Sequence, residues 1–303
     1  MRQHTLNTSY TFEGKGLHTG RLSKMTVGPA PADSGIRFRR TDLGEDAWIE
    51  VLADKVDSTA RSTRISDGDI SVNTVEHILS ALTGMGVDNA CIDIDNAEVP
   101  ILDGSARLYA EAFAADGLTA QSAPRNWVTL KETVEVRDEK TGSWVRIEPA
   151  DRPSYDVTVD FGSRVLGVQS AHWDDSLPFA REIAACRTFV FFHEIEYLFA
   201  NDLIKGGDVD NAIVIVEHPV SEEQLDRMSA SMGLPRLSVV GRGYLDNLRL
   251  HFDNECGRHT LLDLVGDLRL CGGFLRAKVT AYKPGHTINN LAARAVLAQV
   301  REA

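Results

Sequence analysis

One pattern, present twice, constrains this chain more than any other feature. His77-Ile-Leu79-Ser-Ala-Leu82-Thr-Gly84 and His259-Thr-Leu261-Leu-Asp-Leu264-Val-Gly266 share His-x-Leu-x-x-Leu-x-Gly, and each precedes a strand-like run. The leucine spacing is that of one helix face. Two such helices in corresponding places call for two similar halves, with chance matching among leucines as the alternative. The rest of the pattern is α+β. Strand-like runs at 36–39, 48–52 and 90–94 recur after a polar stretch, 121–126, at 128–136, 144–147, 155–161 and 277–282. Helices are expected over 74–84, 105–115, around His259, and over 289–300. The polar stretch reads as a linker, dividing the chain into 1–123 and 124–303. At 303 residues there is length for two cores.

The repeated helices also carry chemistry. His259 and Asp263 are four residues apart and share a helix face, so both can hold one ion. A third ligand from His77 would complete a tetrahedral zinc with one open position, the arrangement of catalytic zinc. Glu76, beside His77, is then placed to act on the water there. Each residue also has a plainer reading. The chain has nine histidines, and His259 with Asp263 could be an exposed ion pair. Cys256-x-x-His259 could be a structural zinc corner, although no second Cys/His pair completes it. Asp267, one turn further, either orients a histidine or is a solvated charge.

Bulk properties permit an enzyme of this kind. Apolar residues make up 43% and charged residues 25%, as in soluble globular proteins. No apolar stretch approaches the roughly 18 residues of a membrane span, and residues 1–13 lack a signal-type apolar run. The net charge of −12 argues against nucleic-acid binding. Four scattered cysteines (Cys91, Cys186, Cys256, Cys271) fit reduced thiols in a cytoplasmic protein.

Ordered motifs run almost end to end: Gly16-Leu-His-Thr-Gly20, Arg39-Arg-Thr-Asp42, Thr74-Val-Glu-His77, Glu98-Val-Pro-Ile-Leu-Asp-Gly-Ser105, Arg187-Thr-Phe189, Glu196-Tyr-Leu198, Arg258-His259, Asp263-x-x-Gly-Asp267 and Gly285-His-x-x-Asn-Asn290. In these the chain resembles the UDP-3-O-acyl-N-acetylglucosamine deacetylases, zinc amidases of lipid A biosynthesis. The resemblance implies two similar α+β domains, each a sheet with a helix-pair layer, with the active site at their interface. It also implies a βαβ insert at about 190–216 in the second domain. By position, His77, His259 and Asp263 match the zinc ligands, Glu76 the general base and His286 the general acid. Thr188 matches the residue that polarises the scissile carbonyl, and Asp267 the carboxylate supporting the catalytic histidine.

Leu17, Phe189, Phe191, Ile195, Leu198, Leu203, Ile204, Val209, Ile213 and Val214 fall where the family holds the substrate's acyl chain. The expected partner is an acylated amino-sugar nucleotide, or a related acylated sugar, bound by a monomer. Two departures bear on the headgroup. Thr260 stands where the family has a cation contacting the diphosphate, and Glu148 aligns with another lysine position. Lys283 and Arg258 remain as phosphate partners. Extra sequence at about 217–243 opens with Ser221-Glu-Glu-Gln224, a helix start. A divergent zinc amidase, or a non-catalytic regulatory paralogue, are the other readings.

Overall fold

The computed structural model describes residues 1–195, 211–232 and 236–302. The chain is α+β, with several sheets and helices that include α1 (Glu76–Gly84), α2 (Arg107–Asp116), α3 (Phe179–Glu182), α4 (Glu222–Met232), α5 (Glu255–Leu268) and α6 (His286–Arg301).

A five-stranded sheet runs in spatial order Tyr10–Lys15, Leu22–Pro29, Ala90–Ile94, Ile36–Arg40, Trp48–Glu50. Only Ala90–Ile94 with Ile36–Arg40 is a parallel pair. A second sheet runs Val134–Asp138, Ser143–Pro149, Phe274–Tyr282, Ser154–Asp160, Val168–Asp174, and there the parallel pair is Phe274–Tyr282 with Ser154–Asp160. Strand order and the sense of each pairing are the same in both. A sixth strand, Trp127–Thr129, adds to the second sheet beside Phe274–Tyr282. In each sheet the last strand to arrive enters the middle, preceded by one helix (α1 or α5) and followed by another (α2 or α6). The parallel neighbour requires a long crossover, and α1 or α5 lies in it.

One burial pattern explains the layering. Ser154–Asp160 alternates half-buried and buried residues along its length, as a strand with one face on a core does. On α1 every residue from Glu76 to Thr83 is buried, because α1 packs against α5 and α2 and its apolar side chains join the cluster formed by the sheet residues. A single apolar cluster therefore runs from Met25, Phe38 and Ile92 through Leu79 and Leu262 to Val145 and Val279. The sheets do not have separate cores.

The glycine that ends the repeated motif serves close packing in both copies. A Cβ at Gly266 would lie 2.1 Å from the carbonyl oxygen of Glu76, and one at Gly84 would lie 2.1 Å from the Phe179 ring. Gly266→Ala must push α5 off the start of α1. Overpacking of this kind costs about 1–3 kcal/mol, so a lowered urea midpoint with an unchanged slope is expected.

Three local expectations are corrected. Residues 121–126 are not a linker: Leu118–Pro124 is a strand paired antiparallel with Arg2–Leu6. Its polar character reflects a two-stranded ribbon that covers only part of each face. The run 128–136 breaks into Trp127–Thr129 and Val134–Asp138, and the last helix starts at His286 rather than 289. Within the insert, Phe189–Phe191 and Ile213–Ile215 pair in parallel, as a βαβ unit requires. Residues 196–210 between them, with Leu198, Leu203, Ile204 and Val209, lie outside the described residues. The extra segment is not an appendage. It adds α4, and Val239–Val240 and Tyr244–Leu245 extend the insert's sheet. Ser221 and Gln224 form a reciprocal cap at the start of α4, with Gln224 N–H donating to Ser221 Oγ at 3.2 Å and Ser221 N–H to Gln224 Oε1 at 3.1 Å. Leu225 and Met228 then pack on Val190, Phe192 and Ile195. Among the described residues no helix is long and apolar enough to cross a membrane.

Candidate metal and catalytic site

Packing α5 against α1 brings the two copies of the repeated histidine face to face. The rings of His77 and His259 stand 5.1 Å apart at 82°. Asp263, one turn beyond His259, places Oδ1 3.5 Å from His77 Nε2 and Oδ2 3.4 Å from His259 Nε2. One ligand atom from each of the three lies within 4.8 Å of the others. These distances are too long for good hydrogen bonds, and Asp263 Oδ1 is buried with no hydrogen-bond partner. His259 Nδ1 is 3.0 Å from the Cys186 carbonyl, so that nitrogen carries the proton and Nε2 keeps its lone pair for the site. A carboxylate and imidazole nitrogens that converge without bonding one another fit a divalent ion.

Glu76 opens α1, where the helix dipole favours an anion. It is 3% exposed, and burial pushes its carboxyl up to about 7. The preceding turn is strained: Thr74, a β-branched residue, has φ +61°. Burial also opposes the charged form of Asp263, but His259 and His77 hold it down to about 2.

His286 opens α6 in the adjoining wall. Its Nδ1 lies 3.0 Å from Asp267 Oδ2. Since a carboxylate only accepts, that nitrogen bears the proton and Nε2 is the other exchangeable position. Burial lowers the His286 imidazolium pKa, yet Asp267 outweighs it and the group is pushed up to about 10. Asp267 itself is fully buried on α5 and also accepts from Asn289 Nδ2 at 2.9 Å. The solvated-charge reading of Asp267 is thereby excluded. So is the exposed-pair reading of His259, which is 3% exposed. Cys256 belongs to an apolar cluster with Val165 and Ile213, which leaves no structural zinc corner there.

The expected substrate contacts divide. Lys283 lies with His286, Gly285, Arg137 and Ser143 around a cavity of about 510 Å³. Phe189 stacks edge-on 6.2 Å from His259 and 5.5 Å from Phe161, and Phe191 also meets Phe161. Thr188 lies in the same stretch, its N–H on the Gly104 carbonyl. Cys186, two residues earlier, and Phe189, next along, both contact His259. Leu17 is half-buried in the loop 16–20. By contrast, Ile195 is spent on packing against α4. Arg258 is held by Asn254 and Glu182 and lies over the Phe252 ring. Thr260 is buried with its hydroxyl on the Cys256 carbonyl. Glu148 pairs with Arg146 at 3.1 Å on the strand face away from the core, and it is not among the residues lining the His286 cavity.

Two residues were not singled out from the sequence. Glu98, 1% exposed, accepts from His18 N–H at 2.9 Å, Thr19 N–H at 2.8 Å and Thr74 Oγ1 at 3.0 Å. It ties the Leu17 loop to the turn before Glu76; the signal was a lone carboxylate at the head of an apolar run. Thr63 touches Glu76, Asp267 and His286. A lone threonine hydroxyl in a polar stretch gives no such signal.

The LpxC family, described as UDP-3-O-acyl N-acetylglycosamine deacetylase, matches residues 3–231 and 236–298. The chain is 42% identical over 301 residues to the bifunctional enzyme LpxC/FabZ of Porphyromonas gingivalis, covering 99% of this chain and 65% of that protein. It thus spans slightly less than two thirds of that bifunctional relative. It is 36% identical over 302 residues to the UDP-3-O-acyl-N-acetylglucosamine deacetylase of Thioalkalivibrio sulfidiphilus, covering 99% of this chain and 91% of the relative. The corresponding protein of Trichormus variabilis is 37% identical over 302 residues, with 98% and 99% covered. The chain belongs to the LpxC family, the UDP-3-O-acyl N-acetylglycosamine deacetylases.

Proposed function

We propose that the chain is a zinc-dependent hydrolase that removes the N-acetyl group from UDP-3-O-acyl-N-acetylglucosamine, releasing acetate and a free sugar amine. The observation that carries this is the convergence of His77, His259 and Asp263 within 4.8 Å, with the Glu76 carboxylate next in sequence. A zinc ion held by those three side chains would keep a position open, lower the pKa of a water there and polarise the amide carbonyl. Glu76 takes a proton from the attacking water; its raised pKa suits proton exchange near neutrality. Thr188 donates its hydroxyl to the carbonyl oxygen as charge develops on it. His286, kept protonated by Asp267, offsets that charge and gives its Nε2 proton to the departing nitrogen, since an amine leaves poorly unless protonated.

The recurrence of one strand order and one histidine motif supports two related domains, 1–123 and 124–303, meeting at the site. Four free cysteines support a cytoplasmic enzyme, and the net charge of −12 argues against nucleic-acid partners.

For the headgroup, Lys283 is the diphosphate contact, because Arg258 is already paired and Thr260 offers no cation. Lys283→Ala is expected to raise KM for the UDP-sugar about 10- to 100-fold with little change in kcat, the worth of one charge-assisted phosphate bond. The same lack of a cation at Thr260 favours a second reading, a zinc amidase for an acylated N-acetyl sugar without UDP. Acetate release from the UDP-sugar and from the matching UDP-free acylated sugar, compared as kcat/KM, separates the two. Preference for the UDP-free compound would move the assignment.

A further inference from the structure

The geometry points to Thr63 as a positioning residue that holds the general base and the general acid of the site in register. This rests on the deacetylase reading given above. Thr63 is fully buried, in the short segment between the strands Val56–Ser58 and Arg64–Asp67. Its backbone N–H and carbonyl both go to the start of α1, and its hydroxyl goes to α5 and α6. The N–H donates to Glu76 Oε2 at 3.0 Å. The carbonyl accepts from Val75 N–H at 3.2 Å, immediately before α1. The hydroxyl donates to Asp267 Oδ1 at 2.6 Å and lies 3.3 Å from His286 Nδ1.

The two oxygens of Asp267 are thereby divided. Oδ1 is taken by Thr63, and Oδ2 accepts from His286 Nδ1 and Asn289 Nδ2. A carboxylate held at one oxygen cannot swing, so the other oxygen sets the plane of the imidazole. Without the Thr63 hydroxyl, Asp267 Oδ1 is buried and unsatisfied, and the carboxylate can turn to recover a partner. Both backbone bonds to the start of α1 would survive loss of the hydroxyl. The side chain therefore couples acid to base, while the main chain alone fixes the base. The strained approach supports a built arrangement: Arg61, two residues earlier, has φ +63°, and Ser62 Oγ donates to Asn73 Oδ1 at 3.0 Å.

The test uses metal-loaded protein carrying Thr63→Val, which keeps shape and backbone but removes the hydroxyl, and Thr63→Ser, which restores it. Thr63→Ala serves in place of the valine variant if that one does not fold. The valine variant should lose about 10²-fold in kcat, as small misplacements of a catalytic group do, with KM within twofold and metal content unchanged. The serine variant should recover most of the loss. A second readout is independent of turnover: the downfield Nδ1–H proton resonance of His286, assigned by its disappearance in His286→Gln. It should persist in the serine variant and broaden or vanish in the valine variant. An unchanged resonance and kcat in Thr63→Val, or a folded Thr63→Ser no better than valine, would overturn the proposal. If the parent protein releases no acetate from the UDP-sugar, the substrate reading fails on its own, and the His286 resonance still decides the role of Thr63.

Discussion

Glu76→Gln is expected to lower acetate release about 10²- to 10⁴-fold, the usual contribution of a positioned general base, while the protein keeps its metal. Glutamine is nearly the same shape, and its Oε1 can still accept the Thr63 N–H that holds Glu76 in place. It cannot take a proton. Glu76 is not one of the three converging ligands, so metal content should match the parent. Burial puts the carboxyl at about 7, with His286 and His77 pulling the other way, so the group can hold and release a proton without a large energetic penalty. Acetate assays and metal analysis on the same preparation check both halves. Full activity in the glutamine variant would remove Glu76 as the base.

Asp263→Ala is expected to have the larger structural consequence. Asp263 is the only anion among the three converging side chains proposed as ligands, and it faces both histidines. Losing it leaves two neutral imidazoles, an incomplete set for zinc. Altering residues that merely support metal ligands costs 10- to 100-fold in affinity; deleting a ligand should exceed about 100-fold. Metal retained against a competing chelator measures this directly, and hydrolysis should vanish with the metal. His259 and His77 should remain packed, because His259 keeps its bond to the Cys186 carbonyl. A variant that holds metal as tightly as the parent would exclude Asp263 from the coordination.

The candidate ligand set was legible because it is written into local spacing. His259 and Asp263 share a helix face, and Glu76-His77 begins the matching helix, so two short motifs pointed to the residues that converge before any long-range contact was known. The two-sheet organisation was legible for the same reason, through a repeated motif with strand runs on either side. What spacing could not give is how the halves join. The α1 and α5 packing that merges two cores into one depends on Gly266 meeting the backbone of Glu76, 190 residues away in sequence. Thr63 escaped notice because its role lies in where its hydroxyl points. Residues 121–126 read as a linker because exposed ribbons are polar, as linkers are, although the strand Leu118–Pro124 runs through them. Arg258 and Thr260 had phosphate roles suggested by position alone. In the fold, Arg258 is committed to Glu182 and Thr260 to its own helix.

The central claim is that this site hydrolyses the acetamide of a UDP-linked acyl amino sugar with one bound zinc. The direct measurement is acetate and free amine released from UDP-3-O-acyl-N-acetylglucosamine by protein stripped with chelator and then titrated with zinc. The account predicts equal amounts of both products, none from the stripped protein, and activity that saturates at about one zinc per chain, as three protein ligands and one open position imply. Release unaffected by stripping, or no release at any zinc level from folded protein, would contradict it.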